Sequence, residues 1–111
     1  MATGAELNTA AVDTSIRVAA GGSVSLGTID ADLGDVSISG TTITDSGLGE
    51  TDVVASNLRL DATAVTGGIG TGANAVDVLV VTVSARSGTG GIYLSEMTGV
   101  AVDTTPVISV N

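Results

Sequence analysis

The chain contains no cysteine, histidine, lysine, tryptophan or phenylalanine, and its 111 residues include one tyrosine and one proline. Without cysteine it can form neither a disulfide nor a thiolate metal site. Histidine, cysteine and lysine also supply most of the general bases and covalent nucleophiles of enzymes, and a serine without a base is inert. We therefore expect the chain not to be an enzyme.

Positive charge is also scarce. Three arginines, Arg17, Arg59 and Arg86, stand against twelve acidic residues, which gives a formal net charge of −9. Nucleic acids and anionic membrane surfaces bind clustered lysine or arginine, so we expect neither as a partner. The longest apolar stretch, residues 78–81, is too short to span a bilayer, which argues against membrane insertion.

β-Branched residues and glycine dominate what is present. Val, Ile and Thr contribute 16, 7 and 16 residues, and there are 16 glycines. β-Branched side chains fit a pleated sheet and glycines mark frequent chain reversals, so the composition predicts an all-β fold. We divide the chain into an N-terminal cap or irregular segment (residues 1–20) and a repeat-built β domain (21–111). Short alternating segments bounded by glycine or aspartate predict strands that start near residues 23, 28, 36, 41, 53, 58, 78, 92, 100 and 107.

The spacing of these strands favours a parallel β-helix. Two or three strands per turn give coils of roughly twenty residues, so the chain would hold about five coils. The alternative is an Ig-like β-sandwich, whose sheets enclose a gap of roughly 10 Å that bulky side chains usually fill, and Tyr93 alone would not fill it. Residues 76–83 are apolar on both sides of a strand, which predicts burial of both faces. The side chains predicted to point inward are Val36, Ile38, Ile43, Leu58, Leu60, Val81, Val83, Ile92 and Leu94.

Four segments of the chain are similar to the sequences of known repeats: LGDVSIS (33–39), VVASNLRLDA (53–62), GIGTGANAV (68–76) and GGIYLSE (90–96). In this order they resemble repeats of very large bacterial surface proteins of the filamentous haemagglutinin-like class, over residues 27–102. The resemblance implies a secreted, right-handed β-helix that acts as a stalk or adhesin, with no catalytic residues to transfer. Residues 102–108 depart from it and resemble the opening strand of a bacterial Ig-like adhesin repeat, which keeps the sandwich alternative open.

These observations predict a non-catalytic structural segment of an extracellular bacterial surface protein, either an adhesin stalk or a self-assembling fibre or surface-layer element. The alternative is an Ig-like binding module that recognises a surface glycan or protein through its loops. Residues 1–6 show no signal peptide, so we interpret the chain as an excised segment. We expect its partners to be copies of itself or neighbouring repeats, joined end to end through the apolar stretch at 107–110.

Three acidic residues are candidate metal ligands. Asp45, Glu50 and Asp52 surround two glycines, and carboxylate oxygens are ligands that Ca²⁺ takes. Neither an EF-hand nor a β-roll nonapeptide is present, because Gly72 stands where the aspartate of the nonapeptide belongs. The alternative, which we favour, is that these are solvated loop acids. We therefore expect no cofactor, and calcium is the one candidate ion.

A second carboxylate pair, Asp30 and Asp32, would share one face of a strand. Two carboxylates can serve glycoside hydrolysis, but the aromatic platforms of sugar-cleaving sites are missing. We therefore interpret the pair as turn acids.

Overall fold

The computed structural model of the chain describes residues 6–8, 15–47, 51–96 and 101–102, with side chains for 15–47 and 51–96. Within these ranges no helix forms, and all paired strands run parallel. In chain order the strands are β1 (Glu6–Asn8), β2 (Ile16–Ala19), β3 (Val24–Leu26), β4 (Thr28–Asp30), β5 (Asp35–Gly40), β6 (Ile43–Asp45), β7 (Val53–Ala62), β8 (Gly68–Ile69), β9 (Val76–Arg86), β10 (Gly91–Ile92), β11 (Leu94–Glu96) and β12 (Ala101–Val102).

The strands form three rows, which the chain visits in turn. The first row contains β1, β4, the starts of β7 and β9, and β11; the second contains β2, β5, the ends of β7 and β9, and β12. The third row contains β3, β6, β8 and β10. Over the described residues this arrangement is a β-solenoid of about four turns, close to the roughly five coils predicted. The predicted parallel β-helix is confirmed, and the sandwich alternative, which requires antiparallel sheets, is wrong for the described residues.

The interior is a set of aliphatic columns in which each residue stacks on its counterpart one coil away. One column in the second row is Ile16, Val36, Leu58 and Val83. Successive members are 20, 22 and 25 residues apart in the sequence, so the length of a coil is not constant. Of the side chains predicted to point inward, the structure confirms burial of Val36, Ile38, Ile43, Leu58, Leu60 and Val83.

The prediction for Val81 is wrong, because its side chain is 65% exposed. The register of β7 with β9 skips Ser56 and Val81, and burial alternation shifts by one residue there. The chain passes from the first row to the second at this point, so the inward positions on either side, Val80 and Val83, are three residues apart. Residues 76–83 therefore do not form a strand buried on both faces.

Two further inward predictions differ from the structure. Ile92 is 43% exposed, and Leu94 is half-buried. β10 pairs with β8 alone and β11 with β9 alone among the described strands, so each side chain has a stacked neighbour on one side. Exposure at such an edge follows from the missing second neighbour.

Glycine permits the close approach of successive coils beside the third row. A Cβ at Gly67 would overlap the carbonyl oxygen of Thr41, and one at Gly88 would overlap that of Val65. The short strand β8 begins directly after Gly67. The predicted boundary between the N-terminal segment and the β domain at residue 20 stays a prediction. The strand predicted at 107–110 lies outside the described residues.

Candidate metal centre

Three aspartates meet where the chain passes from the third row to the first. Asp45 is the last residue of β6, and Asp52 directly precedes β7. Asp77 lies beside Asp52 in the next coil: the Asp52 N–H donates to the Asp77 carbonyl oxygen (2.7 Å), and the Asp77 N–H donates to Asp52 Oδ2 (2.8 Å). One carboxylate oxygen from each aspartate lies within 4.8 Å of those of the other two. We call these three residues the aspartate cluster.

Local structure explains why Asp45 points into this corner. It is in register with Leu26 of the preceding coil, so it occupies an inward position that is aliphatic one coil earlier. Its Oδ1 accepts a hydrogen bond from the N–H of Gly47 (2.8 Å), an Asx-type turn that leads the chain out of β6. Asn74 of the following corner donates from Nδ2 to the Asp45 carbonyl oxygen (3.2 Å), which fixes the turn against the next coil.

Two of the three aspartates are buried, so the interpretation of Asp45 and Asp52 as solvated loop acids is wrong. Asp52 is fully buried and Asp45 is 8% exposed. Burial raises the pKa of the Asp52 carboxyl from 3.8 to about 7, although the hydrogen bond from the Asp77 N–H lowers it. Hydrogen bonding with Asp45 and repulsion from Asp45 and Asp77 also raise this pKa. With both acids ionised, Asp45 Oδ2 and Asp52 Oδ1 have no hydrogen-bond partner among the described residues.

The chain's three arginines belong to the second row and do not neutralise the cluster. Arg17 and Arg59 share one register column through Ser37. Arg86 donates from Nε and Nη2 to the two oxygens of the buried Asp61 (3.0 and 2.9 Å), and Arg59 lies 3.6 Å from the same carboxylate. The charge of Asp61 is thus compensated, whereas no arginine pairs with a member of the aspartate cluster within the described part of the chain.

Of the metal ligands predicted from the sequence, the structure brings Asp45 and Asp52 together, while Glu50 lies outside the described residues. Asp77 was not predicted. The signal that identifies it is its distance of 25 residues from Asp52, which matches the register of β7 with β9.

Asp30 and Asp32 are not part of the cluster. The Asp32 N–H donates to Asp30 Oδ1 (2.9 Å), and Asp32 adopts a φ of 52°. The first of these carboxylates therefore shapes a turn, and the two do not lie side by side on a strand.

One further surface feature lies on the outward side of the first row. Leu33, Val54, Leu79 and Val81 line a shallow groove of about 240 Å³, and Leu33 and Val81 are each 65% exposed. We call these four residues the apolar patch.

No family model matches the chain, and neither a curated protein nor a solved structure matches it. Among the described residues, no helix has the length and apolar character needed to cross a membrane.

Proposed function

We propose that the chain is a non-catalytic structural segment of an extracellular bacterial surface protein, where it serves as an adhesin stalk or as an element of a self-assembling fibre or surface layer. The observation that carries this proposal is the parallel, in-register stacking of coils around one aliphatic interior. Such a stack is held by contacts between neighbouring coils, and it lengthens when further coils are added along the same axis.

Two features of the sequence support the same role. The missing histidine, cysteine and lysine leave few side chains for covalent or acid–base catalysis. Residues 27–102 also resemble the repeats of filamentous haemagglutinin-like surface proteins, for which a stalk is the expected role. Both features favour a structural role over a catalytic one.

The proposal is tested by the way in which the full chain associates. Among the described strands, Ile92 stacks on Ile69 at one edge of the third row, and it is 43% exposed. A second copy that extends the stack would cover Ile92, whereas a copy that binds laterally would cover the apolar patch. We expect the mass measured by sedimentation velocity to rise with salt, because the net charge of −9 opposes association and salt screens that charge.

Two variants separate end-to-end from lateral association. Ile92→Asp and Val81→Asp each add one negative charge, the first at the edge of the stack and the second on its side. After both have been checked for folding, we expect Ile92→Asp to suppress association and Val81→Asp to leave it nearly unchanged. A wild-type chain that stays monomeric at every salt concentration would contradict the proposal. So would association that only Val81→Asp abolishes.

A further inference from the structure

We propose that the aspartate cluster, Asp45, Asp52 and Asp77, binds a calcium ion at the corner between the third and first rows. This inference goes beyond the structural role and does not depend on it. One carboxylate oxygen of each residue lies within 4.8 Å of the others. One ion can bridge that separation, because calcium–oxygen distances are about 2.3–2.6 Å.

Two buried oxygen atoms point to a ligand. Asp52 is fully buried and Asp45 is 8% exposed, so both side chains are more than nine-tenths buried. One oxygen of each accepts a backbone N–H, from Asp77 and Gly47 respectively. The other oxygens, Asp45 Oδ2 and Asp52 Oδ1, have no hydrogen-bond partner in the described part of the chain. A buried carboxylate oxygen without a donor is costly, and a cation coordinated by both oxygens removes that cost.

The distribution of charge leads to the same conclusion. Each carboxylate of the cluster lies close to two others, and the arginines of the chain lie in the second row, where Arg59 and Arg86 pair with Asp61. Like charges held this close repel each other strongly where water is excluded. A divalent cation compensates two of the three negative charges without a positively charged side chain.

The chemistry of the donors favours calcium over other divalent ions. The cluster offers oxygen atoms alone, and the chain has no histidine or cysteine to supply the softer ligands preferred by zinc and copper. Magnesium demands near-ideal octahedral geometry and keeps several of its waters. Two of the three carboxylates here are buried, which leaves little space for retained water, whereas calcium accepts irregular coordination.

The position of the cluster predicts what the ion would do. Asp45 and Asp52 lie at the two ends of the segment 46–51, and Asp77 belongs to the next coil. A bound ion would therefore fasten the corner and tie two successive coils together. Because it would bind the folded chain, it would raise the melting temperature by mass action.

The experiment compares thermal melts of the full chain in chelator, in calcium and in magnesium at the same concentration. At a calcium concentration about one hundred times Kd, we expect the melting temperature to rise on the order of 10 °C. Magnesium should produce a smaller rise. Titration calorimetry with calcium chloride should give about one ion per chain. A wild-type chain that melts at the same temperature in calcium and in chelator would overturn the proposal.

Matched variants locate the ion. Asp52→Asn and Asp77→Asn each remove one carboxylate from the cluster, and either should lower calcium affinity at least tenfold. Asp32→Asn is the control: it changes the net charge equally, lies outside the cluster, and asparagine tolerates the φ of 52° found there. If Asp52→Asn fails to fold, the half-buried Asp77 provides the test. Equal calcium shifts in wild type, Asp77→Asn and Asp32→Asn would show that calcium binds elsewhere, which refutes the site.

Discussion

Leu58 provides the sharpest test of the inward and outward assignments. Its side chain is fully buried between Val36 and Val83 in the second-row column. Val81 lies on the neighbouring coil, two residues from Val83, yet 65% of it is exposed. Truncation of each to alanine therefore compares two aliphatic residues of the same sheet that differ in burial.

The expected magnitude follows from the number of atoms removed from the interior. Leu58→Ala deletes three buried carbon atoms, and measured losses for buried leucines are about 2.7–5 kcal/mol, depending on how far the cavity collapses. In-register coils with backbone hydrogen bonds on both sides of β7 resist collapse, so we expect at least about 3 kcal/mol. For a domain of this size that corresponds to a fall in melting temperature of about 12–24 °C. Val81→Ala should change the free energy of unfolding by no more than about 0.5 kcal/mol.

The measurement is urea denaturation followed by circular dichroism, with the slope of the transition checked for constancy. Aspartate variants should differ more than alanine variants. Leu58→Asp should prevent folding, because the free-energy cost of burying an unpaired charge exceeds the free energy of unfolding of a typical domain. Val81→Asp should still fold, because the side chain at this position is exposed. Equal losses at the two positions, or a wild-type midpoint for Leu58→Ala, would refute the assignment of the columns.

Two other predictions concern backbone packing and acidity. Gly67→Ala should destabilise the fold by about 1–3 kcal/mol or more because its Cβ would overlap the Thr41 carbonyl oxygen, whereas Gly21→Ala, with nothing within 4 Å, should be neutral in the same denaturation assay. In chelator, the melting temperature should fall as the pH rises from about 4 to about 7. Burial raises the pKa of Asp52 from 3.8 to about 7 in the folded chain, so over this range the folded chain keeps a proton that the unfolded chain releases. Asp52→Asn should flatten this dependence, and a profile as steep in the variant as in the wild type would assign it to other groups.

The repeated strands could be predicted from the sequence because glycine or aspartate separates short alternating segments. The inward prediction succeeded where alternation is uninterrupted, as at Val36 and Ile38 in β5. It failed at Val81, since residues 78–83 are apolar almost throughout and the sequence does not mark where alternation shifts. The equivalent shift in β7, between Ala55 and Leu58, is visible in the sequence as the polar pair at 56–57. Alignment of β9 with β7 therefore indicates that β9 passes from the first row to the second at Val81.

The aspartate cluster was only partly predictable for a different reason. Asp45 and Asp52 are seven residues apart in the sequence, so the short segment between them keeps them near each other. Asp77 joins them through the register between coils, which depends on the length of each coil. Coil lengths vary from 20 to 25 residues in the second-row column alone, and no fixed period gives the register in advance.

In-register stacking places each side chain against its counterpart one coil away, and this determines what a polar residue in a column needs. Asp61 stacks on Arg86, and Asp35 accepts a hydrogen bond from Nδ2 of Asn57 (2.8 Å), so these columns pair opposite charges or an acid with an amide. Asp52 instead stacks beside Asp77, and Asp45 adds a third acid from the adjoining row. Stacking like residues on successive coils adds favourable contacts where the side chains are aliphatic. Where the side chains are acidic, the same stacking adds repulsion between their negative charges. A proton relieves that repulsion by neutralising one acid, whereas a divalent ion engages all three, and the calcium and pH experiments distinguish these two solutions.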